Sequence, residues 1–280
     1  MAKAIKRYFP IFVLPTMIAF TLGFIIPFVE GVYLSFCKFT TVNDAKFVGF
    51  ANYAKVFTDE TFVHAFWYTA AFTVVSVILI NVLAFAVALL LTKGFKGTNI
   101  FRTVFFMPNL IGGIVLGYIW QLLLNGILMK FSRTLTYSST YGFWGLIILM
   151  CWQQIGYMMI IYIAGIQNIP GELIEAAEID GATKWQILKK VTIPMVMPSI
   201  TVCTFLTLTN SFKLFDQNLA LTNGEPSKMS EMLALNIFNT FYGRTGYEGV
   251  GQAKAVIFFI LVTVIALTQN YLTRRKEVQQ

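Results

Sequence analysis

Trp152-Gln153-Gln154-Ile155-Gly156-Tyr157 places two amides and two aromatic rings inside an otherwise apolar run. Sugar hydroxyls are bound by matched donors and acceptors beside a flat apolar face, and amides with aromatic rings supply both. Gln153 and Tyr157 are four residues apart and so share one face of a helix. A second polar stripe follows in Thr204, Thr207, Asn210 and Ser211, with Thr207 and Ser211 again four apart. Lys213 and Asp216 come next, at a spacing that lets them pair with each other. Unpaired amides in lipid are costly, so these stripes are expected to face the protein interior or a wet cavity. Hydrogen bonds from helix to helix are the competing use of the same atoms.

Little else in the chain could do chemistry. The sole histidine, His64, stands alone, and Cys37, Cys151 and Cys203 are scattered without metal-like spacing, so neither a catalytic set nor a metal site is expected. No G-x(4)-G-K-[ST] phosphate loop occurs; Gly94-Phe95-Lys96-Gly97 lacks its spacing. Glu30 is an ionisable group within an apolar segment, and a position near the outer mouth of a membrane span would relieve most of its cost.

Those stripes need long apolar elements to carry them. The 280 residues are 57% hydrophobic and only 12% charged, against about 25% charged in a soluble domain. Six runs of roughly 20 apolar residues, at 9–36, 66–91, 103–124, 143–166, 194–215 and 255–272, are long enough to cross a bilayer. Lipid cannot satisfy the backbone, so each run is expected to be a helix, and the pattern is not that of a barrel. The expected fold is an all-α integral membrane protein with six transmembrane helices, a single transmembrane domain over residues 1–280.

Cations set the orientation. Short segments carrying Lys3, Lys6, Arg7, Lys93, Lys96, Arg102, Lys184, Lys189, Lys190, Arg274, Arg275 and Lys276 are denser in positive charge than the longer segments between them, read as external, which hold Lys38, Lys46, Lys55, Lys130, Arg133, Lys228, Arg244 and Lys254. The positive-inside rule then puts both termini in the cytoplasm of a multi-pass protein of the cell membrane. The net charge of +8 is accounted for by anionic lipid at that face and requires no nucleic acid.

Between the fourth and fifth runs lies a polar stretch, EAAEIDGATKWQILKK, Glu175 to Lys190. Pro170-Gly171 ends the preceding span, acids load the start of a new helix, and Gly181 stops it as a C′ glycine does. Thr183-Lys184-Trp185-Gln186 fits a capping box that starts a second helix. The expected form is two short helices bent at Gly181 within a cytoplasmic loop, 168–192. An amphipathic helix lying on the membrane is the simpler reading, but acids on its polar side repel anionic lipid and alanines anchor poorly. Small side chains suit insertion into a groove on a soluble partner.

Glu175-Ala176-Ala177, then Asp180-Gly181-Ala182, then Ile193-Pro194 resemble the EAA loop of permease subunits of binding-protein-dependent ABC importers. The family pattern is E-A-A-x(3)-G-x(9)-I-x-L-P; Val191 and Ile193 replace its isoleucine and leucine with other apolar residues. Phe47-Val48-Gly49-Phe50-Ala51-Asn52-Tyr53, Phe101-Arg102-Thr103 with Met107-Pro108, and Leu221-Thr222-Asn223-Gly224 with Pro226 are similar to carbohydrate permeases, specifically relatives of the larger maltose-permease subunit. Glu225 stands where such relatives show a second glycine.

The resemblance implies a type I importer permease that forms a sugar pathway, with an oligosaccharide expected, by alternating access. It implies that Glu175, Ala176, Ala177, Asp180, Gly181 and Ala182 couple to an ATPase, and that Gln153, Tyr157, Thr207 and Ser211, with Trp152 and Asn210 beside them, line the substrate site. Met150, Ser211 and Leu214 stand where the family has asparagines. The implied partners are a second homologous permease, two cytoplasmic ATPase subunits holding ATP and Mg, an extracellular sugar-binding protein and membrane lipid. The chain itself is expected to bind no cofactor and to be no enzyme. The residues alone leave two other readings open: an ion-coupled secondary carrier using Glu30, Lys213 and Asp216, and a membrane scaffold that recruits a soluble partner.

Overall fold

The computed structural model describes residues 2–94 and 96–274. Phe95, in the glycine-rich segment noted above, and the terminal cations Arg275 and Lys276 lie outside the described residues. In chain order the elements are α1 (Ala2–Phe20), α2 (Ile26–Leu34), a hairpin of β1 (Cys37–Lys38) and β2 (Lys46–Phe47), α3 (Ala51–Thr58), α4 (Glu60–Leu91), α5 (Thr98–Phe106), α6 (Gly113–Leu128) and α7 (Ser139–Gln167). Then follow α8 (Gly171–Ile179), α9 (Lys184–Ile187), α10 (Ile193–Met195), α11 (Met197–Phe212), α12 (Asp216–Leu221), α13 (Leu233–Gly243) and α14 (Glu248–Arg274). Among the described residues five helices are long and apolar enough to cross a membrane, and a bent pair, Lys184–Met195 with Met197–Phe212, makes a sixth if counted as one span.

Three of the six expected spans are single uninterrupted α-helices, α4, α7 and α14, and each is longer than its apolar run. The others depart from the expectation at prolines. The first apolar run contains a wide π turn, Thr21–Ile25, and the fifth is preceded by another, Leu188–Thr192. Each wide turn ends two residues before a proline, Pro27 or Pro194, whose missing N–H leaves a carbonyl one turn back without its usual donor. The run 103–124 is not one helix. It breaks at Met107–Leu110, a 3-10 turn containing Pro108, followed by extended Ile111 and Gly112. The run 194–215 is likewise shorter than expected: the chain bends by 69° at Val196, and Pro198 takes the first turn of α11, where no N–H is required. The second helix of the polar loop therefore does not end near Lys190 but continues to Met195.

The described chain divides into two compact units, Met1–Glu60 with Ile237–Ile260, and Thr61–Asn236 with Leu261–Gln280. In the first, Asn52 explains the motif between Phe47 and Tyr53. Its Nδ2 donates to the carbonyls of Ser35 (2.9 Å) and Cys37 (2.8 Å), and the Tyr53 and Ser35 hydroxyls lie 2.7 Å apart. Gly49 takes a positive φ of 59° to start the turn into α3, and the Phe36 ring packs on Phe47, Phe50 and Tyr53. At Thr40 and Thr41 two backbone N–H groups bond Asp44 and hold its carboxyl below the usual carboxylate range.

The first unit also contains an ion pair that the sequence reading missed. Lys254, assigned above to an external loop, lies inside α14 with 0% exposure; its Nζ is 2.7 Å from Asp59 Oδ2 and 2.8 Å from Thr240 Oγ1. A buried charge is stable only when paired and hydrogen-bonded, and this one is both.

In the second unit the core is built on α4, α7 and the start of α11, with Phe72, Ile80, Leu146, Met150, Met158 and Tyr162 among its fully buried side chains. A Cβ at Gly156 would collide with the Phe105 carbonyl, so glycine is what lets α5 and α7 touch backbone to backbone. Gly113 and Gly117 make room for α12 against α6: an added Cβ would lie 2.8 Å from the Asp216 Cβ at Gly113 and 2.5 Å from the Ala220 Cβ at Gly117.

Removing one member of the buried pair should cost more than removing both. Lys254→Met is expected to lower stability by about 3–5 kcal/mol, and the double variant Lys254→Met with Asp59→Asn to recover most of it. Thermal unfolding in detergent micelles reads the difference; equal losses in the single and double variants would contradict the assignment.

Candidate translocation site and coupling helices

The helix pair takes the expected form. Helix α8 ends in a paired C-cap: Gly181 N–H bonds the Glu178 carbonyl and Ala182 N–H bonds the Ala177 carbonyl, both at 3.0 Å, with Gly181 at φ 76°. This is the Schellman arrangement, and a left-handed residue is what permits it. Thr183 then caps α9. Its backbone N–H donates to Gln186 Oε1 at 2.7 Å, while Gln186 N–H reaches the Thr183 hydroxyl at 3.4 Å. Leaving the cap, the helix runs on through the wide turn to Met195.

The faces of this pair are sharply divided. Ile174 packs against the core of the second unit and Ile187 is buried. Glu175, Ala176, Asp180 and Gly181 are exposed, Ala177 and Ala182 are half-buried, and Ile179 and Trp185 are 86% and 69% exposed. Two large apolar side chains therefore flank a small-residue surface that ends in a rigid turn.

The polar stripes inside the spans are put to two uses. Gln153 is buried, donating to the Ile111 carbonyl at 3.4 Å and accepting from Gln217 Nε2 at 2.8 Å. Its bond to Ile111 satisfies a carbonyl freed by the break before α6, which the bilayer could not do. Thr207 is fully buried, its hydroxyl donating to the Cys203 carbonyl at 2.7 Å and accepting from Asn81 Nδ2 at 3.3 Å. Tyr162 completes this chain with a 2.7 Å bond to Asn81 Oδ1. Ser211 is also buried, and its hydroxyl has no protein partner.

Trp152, Tyr157 and Asn210 remain accessible. Trp152 is 43% exposed and stands edge-on to Trp120 at 5.5 Å, Tyr157 is half-buried beside Phe106, and the half-buried Asn210 reaches Gln154 Oε1 at 3.5 Å. Helix-to-helix bonding thus takes up Gln153 and Thr207, while the flat rings and one amide stay open. Lys213 is exposed, and among the described residues it forms no ion pair with Asp216. His64, inside α4, stacks on Tyr68 at 6.1 Å. Glu30 is exposed in α2.

Asn81, Gln217 and Asn218 went unnoticed in the sequence. Asn81 is a single amide in an apolar run, and that isolation was the available signal. Asn218 is fully buried and closes the turn at Asn223-Gly224: Nδ2 donates to the Ser230 carbonyl at 2.8 Å and Oδ1 accepts from Met232 N–H at 2.9 Å.

With this geometry in view the comparisons are consistent. Residues 80–278 match the family described as "Binding-protein-dependent transport system inner membrane component". The chain belongs to that family: it is a multi-pass inner-membrane permease component. It is 41% identical to a probable starch degradation products transport system permease protein of Thermoanaerobacterium thermosulfurigenes, over 99% of this chain and 98% of that one. It is 29% identical to a multiple sugar-binding transport system permease protein of Streptococcus mutans, over 99% of each. In fold it resembles a permease chain from the crystal structure of a bacterial ABC transporter that imports alginate, with a TM-score of 0.82, 23% identity and 98% coverage of both chains. A second structure, of a bacterial alginate transporter with a pentasaccharide-bound periplasmic protein, gives 0.81 at 21% identity, covering 98% and 97%. The type I ABC importer permease architecture is thereby shown.

Gln153→Leu should leave the Ile111 carbonyl and the Gln217 amide without partners. The expected loss is about 1–3 kcal/mol for each stranded group, read as a lower midpoint of thermal unfolding. Gln153→Glu keeps an acceptor for Gln217 and should lose less; equal stability of the leucine variant and the parent would remove Gln153 from this role.

Proposed function

We propose that this chain is one of two permease subunits of an ATP-driven oligosaccharide importer. The observation that carries the reading is the 41% identical, full-length relative named for starch degradation products, joined to an exposed, capped helix pair suited to a groove on a soluble protein. An α-glucoside permease of Rhizobium meliloti, 32% identical over 92% of this chain, and a trehalose/maltose permease of Thermococcus litoralis, 28% identical over 89%, point to the same substrate class.

In this reading both termini and the pair α8–α9 are cytoplasmic, and the chain has no phosphate loop of its own. Of two ATPase subunits holding ATP and Mg, one receives Glu175, Ala176, Ala177, Asp180, Gly181 and Ala182 in a cleft, with Ile179 and Trp185 as apolar anchors. Closure of the ATPase dimer moves the pair as a unit, because its Schellman turn and capping box leave few free backbone groups at the bend. The movement reaches α11 through the helix Lys184–Met195. An external binding protein docks on the outer segments 38–65 and 216–254 and releases its sugar to a cavity shared with the second permease. There Trp152, Tyr157 and Asn210 offer ring faces and an amide to the sugar. Gln153, Thr207 and Ser211 join them when the helices rock, with Gln153 and Thr207 exchanging internal bonds for substrate bonds.

Two measurements test this. In lipid vesicles holding the complex with its neighbouring permease, ATPase and loaded binding protein, ATP hydrolysis should rise with glucose oligosaccharides and not with unrelated solutes; no response to any sugar would refute the reading. Gly181→Val meets no steric clash but strains a positive-φ turn by about 1–2 kcal/mol. It should leave the fold intact and reduce sugar uptake per ATP hydrolysed at least several-fold, whereas a normal ratio would refute coupling through this turn.

A further inference from the structure

An apolar groove of about 260 Å³ opens between the end of α6 and the start of α7, and the translocation reading does not use it. Its walls are Leu124, Ile127, Leu128, Leu135, Trp144 and Ile148. Leu135 is held in place because its N–H bonds Asn125 Oδ1 at 2.8 Å, and Gly145 leaves room for it, since a Cβ there would lie 2.8 Å from a Leu135 methyl. At the end of the groove the connecting turn carries two exposed cations, Lys130 and Arg133. The whole segment from Asn125 to Thr140 contains no Asp or Glu, and among the described residues neither cation forms an ion pair.

Arg133 is fixed rather than free. Its guanidinium lies 5.1 Å from the Tyr137 ring centre and 5.7 Å from that of Tyr141, and one N–H donates to the Tyr141 hydroxyl. A guanidinium is charged at any physiological pH, and the bond to Tyr141 shifts its pKa further upward. A guanidinium has five donors, and the tyrosine uses one. Tyr137, Tyr141 and Trp144 are the residue types that settle at the membrane–water boundary, which places the cations at headgroup level and the groove among acyl chains.

We propose that this groove holds one acyl chain of an anionic phospholipid whose phosphate is bound by Lys130 and Arg133. A lipid tail is no more at home in the groove than in the bilayer, so the apolar walls alone would not select a ligand. Selection comes from the charges: a preordered guanidinium and an ammonium, without a carboxylate to answer them, above a slot shaped for a chain. A transmembrane helix of a second permease could fill the slot but would leave both cations unanswered. An anionic lipid satisfies both ends.

The test is native mass spectrometry of the delipidated membrane protein in mild detergent, titrated with phosphatidylglycerol and with phosphatidylcholine of the same chains. The parent should prefer phosphatidylglycerol, and Arg133→Gln and Lys130→Gln should each reduce that preference about five-fold, since one cation near the membrane surface contributes about that factor. Arg133→Lys should keep most of the preference, which separates charge from mere loss of packing on the tyrosines. Ile148→Trp, which fills the slot without touching charge, should weaken retention of the bound lipid while thermal unfolding stays near the parent's. Equal binding of the two lipids by the parent, or an unchanged preference in Arg133→Gln, would overturn the proposal. So would a disulfide formed in high yield, on mild copper-catalysed air oxidation, between Trp144→Cys and a cysteine introduced on the facing helix of a second permease, because the face would then be a protein interface.

Discussion

A backbone group left unpaired in a bilayer has no water to turn to, and this constraint explains most of what is unusual in the structure. The long apolar runs obey it by being helices. Where prolines interrupt them, the obligation passes to side chains or to altered turns. At Pro27 and Pro194 the helix widens locally and continues. At Pro108 it breaks outright, and the Ile111 carbonyl takes a donor from Gln153, which in turn is held by Gln217. Amides that a linear reading leaves open to a ligand or to another helix are, in this structure, bonded across an interrupted span.

In the proposed mechanism the same atoms serve support and transport in turn. Gln153 and Thr207 bond to other helices in this conformation, while Trp152, Tyr157 and Asn210 remain accessible. An importer that alternates between two arrangements needs polar groups that are satisfied in both, because a buried amide with no partner would oppose the motion. Internal partners such as Asn81 and Gln217 provide one of those two satisfied states.

In the proposed mechanism, transmission from the exposed face of α8 to the span α11 rests on local chemistry. Gly181 and Thr183 fix the angle between α8 and the helix that follows, and Val196 with Pro198 sets the 69° bend beyond it. Between the two corners runs a helix from Lys184 to Met195, a short lever whose wide turn keeps Pro194 within it.

Much of this was legible in the residues. Apolar length made the spans, and glycine, threonine and glutamine at set spacings made the bent pair, because caps and bilayer crossing depend on neighbours within one or two turns. The turn at Gly181 emerged as read, down to its capping box. The partners of individual polar residues were not legible. Lys254 read as a loop cation and proved to be buried against Asp59 and Thr240; Lys213 and Asp216 had the spacing of a pair and do not pair; for Gln153 and Thr207 the pattern left ligand contact and helix-to-helix bonding open, and the internal partners Gln217 and Asn81 came only from the fold. Periodicity reports which face of a helix a residue occupies, but what that face meets depends on elements far away in the chain. Where backbones approach through Gly117 and Gly156, and where a broken helix exposes a carbonyl, only the packed tertiary structure decides.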